Sequence, residues 1–190
     1  VPADQHTPDL FDKANTASAA PRDRSRLLAA VDALNRKHGK NAVMFASAHA
    51  GKKPFETTAM PYGTQVLWPD HCVQATPGAD IHPEIDISRV QMIVRKGYHP
   101  GIDSYSAFRE NDRMTRTGLD GYLKARGFTR LIFCGLALDY CVAWSAIDAR
   151  QAGFDAAVAV EATAAIDLEG SRKRMLTEMR QAGINLNVTA

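Results

Sequence analysis

The chain has little that would tie it to a membrane, a nucleic acid or an oxidising compartment. No apolar run approaches the ~20 residues that a membrane-spanning helix needs. The first residues carry no basic stretch followed by an apolar one, so no secretory signal is visible. The net charge is only +2, with Lys and Arg dispersed, which excludes the basic footprint of a protein that binds nucleic acid or anionic lipid. Three cysteines at wide spacing are too few and of the wrong parity for a disulfide framework, and they fit a reducing compartment. The expected location is the cytoplasm. No repeat with a period of about 20–50 residues is present. Gly-x-Gly-x-x-Gly, Walker, Gly-x-Ser-x-Gly and Cys-x-x-Cys motifs are missing too, which removes the commonest dinucleotide, nucleotide, serine-hydrolase and dithiol readings.

What is there is an ordinary globular composition. The 190 residues are 45% hydrophobic and 23% charged, enough for one domain with a sizeable core. Residues 1–20 are polar and lack periodicity, and read as a loose leader before a single domain over 21–190. Leu27, Leu28, Val31 and Leu34 make the apolar stripe of a helix over 23–38. A buried strand is expected at 41–46, followed by an irregular stretch to Thr76 with Pro54, Pro61 and Pro69. Further strands are expected at 90–94, 131–134, 154–160 and 184–188. Helices are expected at 114–126, 141–152 and 169–182, ending at Gly127, Gly153 and Gly183. The alternation predicts a three-layer α/β/α fold around a mainly parallel sheet.

One stretch concentrates the chemistry. Leu131 to Cys134 is a short apolar run of the kind that makes a buried parallel strand, Gly135 breaks it, and Cys141 opens a helical pattern. A thiol in the first turn of a helix faces outward N–H groups and the positive end of the helix dipole. Those N–H groups can also hold an oxyanion on an acyl carbon attacked by sulfur. Free cysteine is among the most buried residue types, so an inert core thiol and an activated nucleophile are both open readings. Lys96 closes the strand at 90–94 ahead of Gly97, at the sheet edge where α/β proteins bind ligands. A solvated edge lysine is the other reading.

Gly-Leu-Ala-Leu-Asp-Tyr-Cys-Val (135–142), Arg-Lys-Gly (95–97), Tyr-Gly-Thr-Gln-Val-Leu-Trp-Pro-Asp-His-Cys-Val-Gln (62–74) and Asp-Ser-Tyr-Ser-Ala-Phe (103–108) together resemble the nicotinamidases, within the isochorismatase-like cysteine hydrolases. The resemblance runs from about Lys52 to about Gly183. It implies the isochorismatase-like fold and hydrolysis of nicotinamide to nicotinate and ammonia through a cysteine thioester, in NAD salvage. It places the nucleophile at Cys141 and the lysine at Lys96. The oxyanion hole falls on the Ala137 and Cys141 N–H groups, after a non-proline cis peptide at Leu136–Ala137. The substrate pocket falls on Trp68, Tyr105 and Leu136, with Trp68 stacking on the pyridine ring. The partner implied is a small carboxamide, with neither nucleic acid nor membrane, and a homo-oligomer stays open. Cys72 has no derivable role, and His82 and His99 read as surface residues.

The match weakens before Lys52. The family's proton carrier is an Asp on a first strand ending in Asp-x-Gln-x-Asp-Phe, and that strand reads as missing or altered here. The nearest counterpart is Asp4, without an apolar run ahead of it. The family also binds a divalent metal (Zn, Fe or Mn) through an Asp-x-His pair, a second His or Glu, and the His of Trp-Pro-x-His-Cys. His71 matches the last of these. His49 matches the first His, with Ser47 where the Asp belongs, and in a second register only His38 remains as a counterpart. Two imidazoles without a carboxylate make a poor site. Three functions follow: nicotinamide hydrolysis, another carboxamide or ureido hydrolysis of the same superfamily, or a chain that keeps the fold with impaired activity. Turnover is expected to be weak or absent.

Overall fold

The computed structural model describes Trp68, Cys72, Val73, residues 75–99 and residues 102–188. The expected strand at 41–46 lies outside these residues, as do Asp4, His38, Ser47, His49 and His71.

The centre is a β–α–β unit. Strand β1 (Arg130–Leu136) pairs in parallel with β2 (Asp155–Ala164). The register runs from Arg130 opposite Asp155 to Phe133 opposite Val158, then shifts so that Gly135 faces Thr163. Leu131 and Phe133, two apart, both point into the core, as period-two side chains must. The Ala156–Ala159 run of β2 is buried throughout, as expected of a strand covered on both faces. Its small side chains suit close packing against helix α2 (Ala143–Gln151), where Ala143, Ala146 and Ala149 are fully buried. The final strand expected at 184–188 is reduced to one parallel bridge, Asn185 to Ala157, with Asn185 N–H donating to Ala156 O and Asn185 O accepting from Val158 N–H.

Two further helices contribute to the core among the described residues. Helix α1 (Leu119–Ala125) buries Leu119 and Leu123, and α3 (Ser171–Gln181) buries Met175 and Met179, each pair four apart on one face. Helix α1 starts five residues later than the apolar pattern suggests. The Asp112 carboxylate takes the Met114 and Thr115 N–H groups, each at 2.9 Å, and the Thr115 hydroxyl at 2.6 Å. Local side-chain bonds of this kind compete with a helix. Arg109 and Arg116 pair as an antiparallel bridge, and Gly118 takes φ +88° just before the first helical residue.

At 90–96 the burial alternates as in a strand. Met92, Val94 and Lys96 turn inward and Gln91, Ile93 and Arg95 outward. A ladder partner for this segment is not among the described residues. No helix among the described residues is long and apolar enough to cross a membrane.

Candidate active site

The site is assembled where β1 ends. Gly135 takes φ +101°, a value that suits glycine, and the Leu136–Ala137 peptide is cis. A single π-helical turn, Leu138–Val142, then leads into α2, and Cys141 sits in that turn. Its thiol is free and partly exposed. The sequence pattern starts an α-helix at Cys141. The wider turn instead brings Val142 N–H to Ala137 O at 3.0 Å and delays the α-helix to Ala143.

Lys96 arrives from the inward-facing side of the 90–96 segment. Its ammonium lies 3.6 Å from Cys141 Sγ and donates to Ser104 O at 2.7 Å. It is 2% exposed, and a buried ammonium needs such partners. Cys141 and Lys96, both expected at the ligand-binding edge, are therefore brought together where β1 ends. Beside the pair is a small cavity lined by Phe133, Cys134, Leu136, Val142 and Ser145.

An aromatic wall adjoins the thiol. Trp68 Nε1 donates to Tyr105 Oη at 3.0 Å. The Tyr140 ring stands edge-on to both, with centroids 4.8 Å from Trp68 and 5.4 Å from Tyr105. Burial, reinforced by the charge of Asp103, holds the Tyr105 phenol well above its ordinary value, so it stays protonated.

Several residues that sequence reasoning passed over hold this arrangement in place. Ser145 Oγ donates to Cys141 O at 2.6 Å and accepts Ala107 N–H at 2.9 Å, tying α2 to the 103–108 loop. Asn111 accepts Tyr105 N–H at 3.0 Å. Both Glu110 carboxylate oxygens accept the N–H of Gly97, next to Lys96. Asp139, 1% exposed, accepts Ile166 N–H, Asp167 N–H and the Ser171 hydroxyl. The signal that could have found Asp139 and Tyr140 was a polar pair inside an apolar run, but sequence alone names no partner across 27 to 32 residues.

No group of three or more His, Cys, Asp or Glu that could hold a metal occurs among the described residues. His71 and His49, the expected ligands, lie outside them, as does Asp4.

A model of the isochorismatase domain matches residues 7–189. The chain belongs to the isochorismatase family. Within it, the chain is 52% identical over 147 residues to the nicotinamidase of Acinetobacter baylyi, covering 77% of this chain and 69% of that protein. Among solved structures it is similar to a nicotinamidase/pyrazinamidase of Acinetobacter baumanii, with TM-score 0.76 and 42% identity over 87% of this chain and 85% of that one. It is also similar to the pyrazinamidase of Pyrococcus horikoshii in complex with zinc, with TM-score 0.66 and 28% identity over 87% of this chain and 84% of that one. The α/β fold expected from the alternation of strands and helices is the fold of this family.

Proposed function

We propose that this family member is a cysteine amidohydrolase that converts nicotinamide and water to nicotinate and ammonia, feeding NAD salvage in the cytoplasm. The observation that carries the reading is the Lys96 ammonium 3.6 Å from the Cys141 thiol, at the cis turn that closes β1. The 52% identity to a nicotinamidase and the Trp68–Tyr105–Tyr140 wall beside the thiol support a flat heteroaromatic carboxamide as substrate.

In this reading the Cys141 thiol gives up its proton and sulfur attacks the amide carbon. Lys96 supplies the positive charge facing the sulfur. The Ala137 and Cys141 N–H groups receive the oxyanion of the tetrahedral adduct. The carbon–nitrogen bond breaks as nitrogen takes a proton and leaves as ammonia, which gives a thioester. Water then adds to the thioester and sulfur departs, releasing nicotinate. Asp4 is the residue we assign as proton carrier. Trp68, Tyr105 and Leu136 form the substrate pocket. A divalent metal held by His71 and His49 would add Lewis-acid chemistry when bound. Two imidazoles are a weak donor set, and no step above runs through the metal.

The test is ammonia release from nicotinamide by the full chain, with Cys141→Ala as the control. Release that the control abolishes is expected. Release unaffected by Cys141→Ala, or none from nicotinamide but brisk release from another amide in a panel, overturns the assignment.

A further inference from the structure

Asp139, two residues before the nucleophile, is a buried carboxylate at 1% exposed, and it takes no part in the chemistry above. Among the described residues, its hydrogen-bond partners come from the chain that follows β2. Ile166 N–H donates to Oδ1 at 3.0 Å, Asp167 N–H to Oδ2 at 2.8 Å, and Ser171 Oγ to Oδ2 at 2.5 Å. Ser171 is the first residue of α3 and is fully buried. The Ser171 hydroxyl proton is committed to Asp139. The Asp139–Ser171 pair therefore spans the gap between the π-helical turn and the start of α3. Asp139 and Tyr140 are the two residues directly before Cys141. The turn that carries Cys141 is thus fixed from one side by the bonds to Asp139 and from the other by Ser145 on the Cys141 carbonyl.

Such a network suits orientation better than stability. A buried carboxylate facing neutral donors gives up hydration that these bonds must replace, so burying it is a poor way to gain free energy. What it does give is direction. Two backbone amides and a hydroxyl define where the carboxylate sits, and with it the turn whose next residue but one is Cys141. The thiol must meet Lys96 at 3.6 Å and the attacked carbon at a definite angle, and misplacement by ~1 Å can cost ~10²-fold in rate.

We infer that Asp139 and Ser171 are positioning residues for the nucleophile, holding the Leu138–Val142 turn so that the Cys141 thiol faces Lys96. This rests on the amide-hydrolase reading for its kinetic arm and is independent of it for its chemical arm. The variants are Ser171→Ala and Asp139→Asn, with Met179→Ala as a control. Met179 lies on the same helix, about two turns beyond Ser171, and is fully buried. Steady-state kinetics on nicotinamide gives kcat and KM. Alkylation of Cys141 by iodoacetamide in the absence of substrate, read by peptide mass spectrometry, reports on the thiol alone. Circular dichroism fixes a temperature at which every variant is folded. The expected result is a kcat at least tenfold lower in Ser171→Ala and Asp139→Asn, with KM within about threefold of the parent. Cys141 alkylation at least fivefold slower is expected in both, and Met179→Ala should match the parent in each readout. Alkylation and kcat within twofold of the parent in folded Ser171→Ala overturn the inference. An equal loss in Met179→Ala also overturns it, since the effect would then be general loosening of α3. Should the parent release no ammonia from nicotinamide, the function reading fails and the alkylation arm still decides this one.

Discussion

At the scale of single residues, the site separates two cysteines that share a cavity. Cys134 and Cys141 both line the space beside Lys96. Burial pushes the Cys134 thiol up to about 11. At pH 8 its thiolate is then ~10⁻³ of the population, and only the thiolate alkylates at a useful rate. Iodoacetamide on the folded chain should leave Cys134 unlabelled while Cys141 reacts, and unfolding in denaturant should release Cys134. A Cys134 label as fast as that on Cys141 would show the thiol to be solvated. The sign for stability follows. A thiol raised on folding favours the native state below its unfolded value of about 8.5. That contribution is lost as pH rises from there toward 11. Lys96 is the second residue whose removal should be read directly. Lys96→Met keeps most of the stem and deletes the ammonium that touches Cys141 Sγ and Ser104 O. A loss of ~10²–10⁴-fold in kcat is expected, the range for a group aligned on the reacting atoms. A folded Lys96→Met enzyme with kcat within threefold of the parent would mean that the contact plays no part in turnover.

At the scale of elements, helix α3 shows how position converts into function. Its buried face holds only Ser171, Met175 and Met179, and the remaining side chains are polar or half-buried. Met179 is fully buried, so Met179→Ala removes apolar contacts and leaves a cavity, at a cost of ~2–5 kcal/mol. The melting temperature of this variant should fall by several degrees, and no fall would mean that the helix is not seated on the core. The loop before α1 follows a different logic. Asp112 collects three donors and Thr117 Oγ1 donates to Ala107 O at 2.6 Å, which anchors the 103–108 segment that carries Ser104 and Tyr105. The late start of α1 thus leaves residues 109–117 free to brace the pocket.

At the scale of the whole molecule, the rate of turnover is the decisive quantity. Cys141, Lys96 and the cis turn at Ala137 are brought together, whereas the Asp-x-Gln-x-Asp-Phe pattern of the family motif is not matched around Asp4, where Asp and Gln are adjacent. General acid–base catalysis contributes ~10²–10⁴-fold, so ammonia release is expected to be slow. A rate of ~1 s⁻¹ or faster, abolished by Cys141→Ala, would show that prediction wrong and mean that Asp4 or another residue carries the proton fully.

Sequence by itself determined the parts of this protein that depend on local pattern. The apolar run at 131–134 became β1, the run from 154 became β2, and the alanines after Cys141 became the buried face of α2, because burial of one face at a fixed period is written in residue order. The motif segments also marked Cys141 and Lys96, which meet at 3.6 Å although 45 residues separate them. Only the tertiary structure decided what holds them there. Asp139 finds Ser171, Ser145 finds Ala107 and Glu110 finds Gly97 across gaps that no periodicity encodes. A buried polar side chain takes whichever donors or acceptors folding brings beside it, and that choice exists only once the elements have packed.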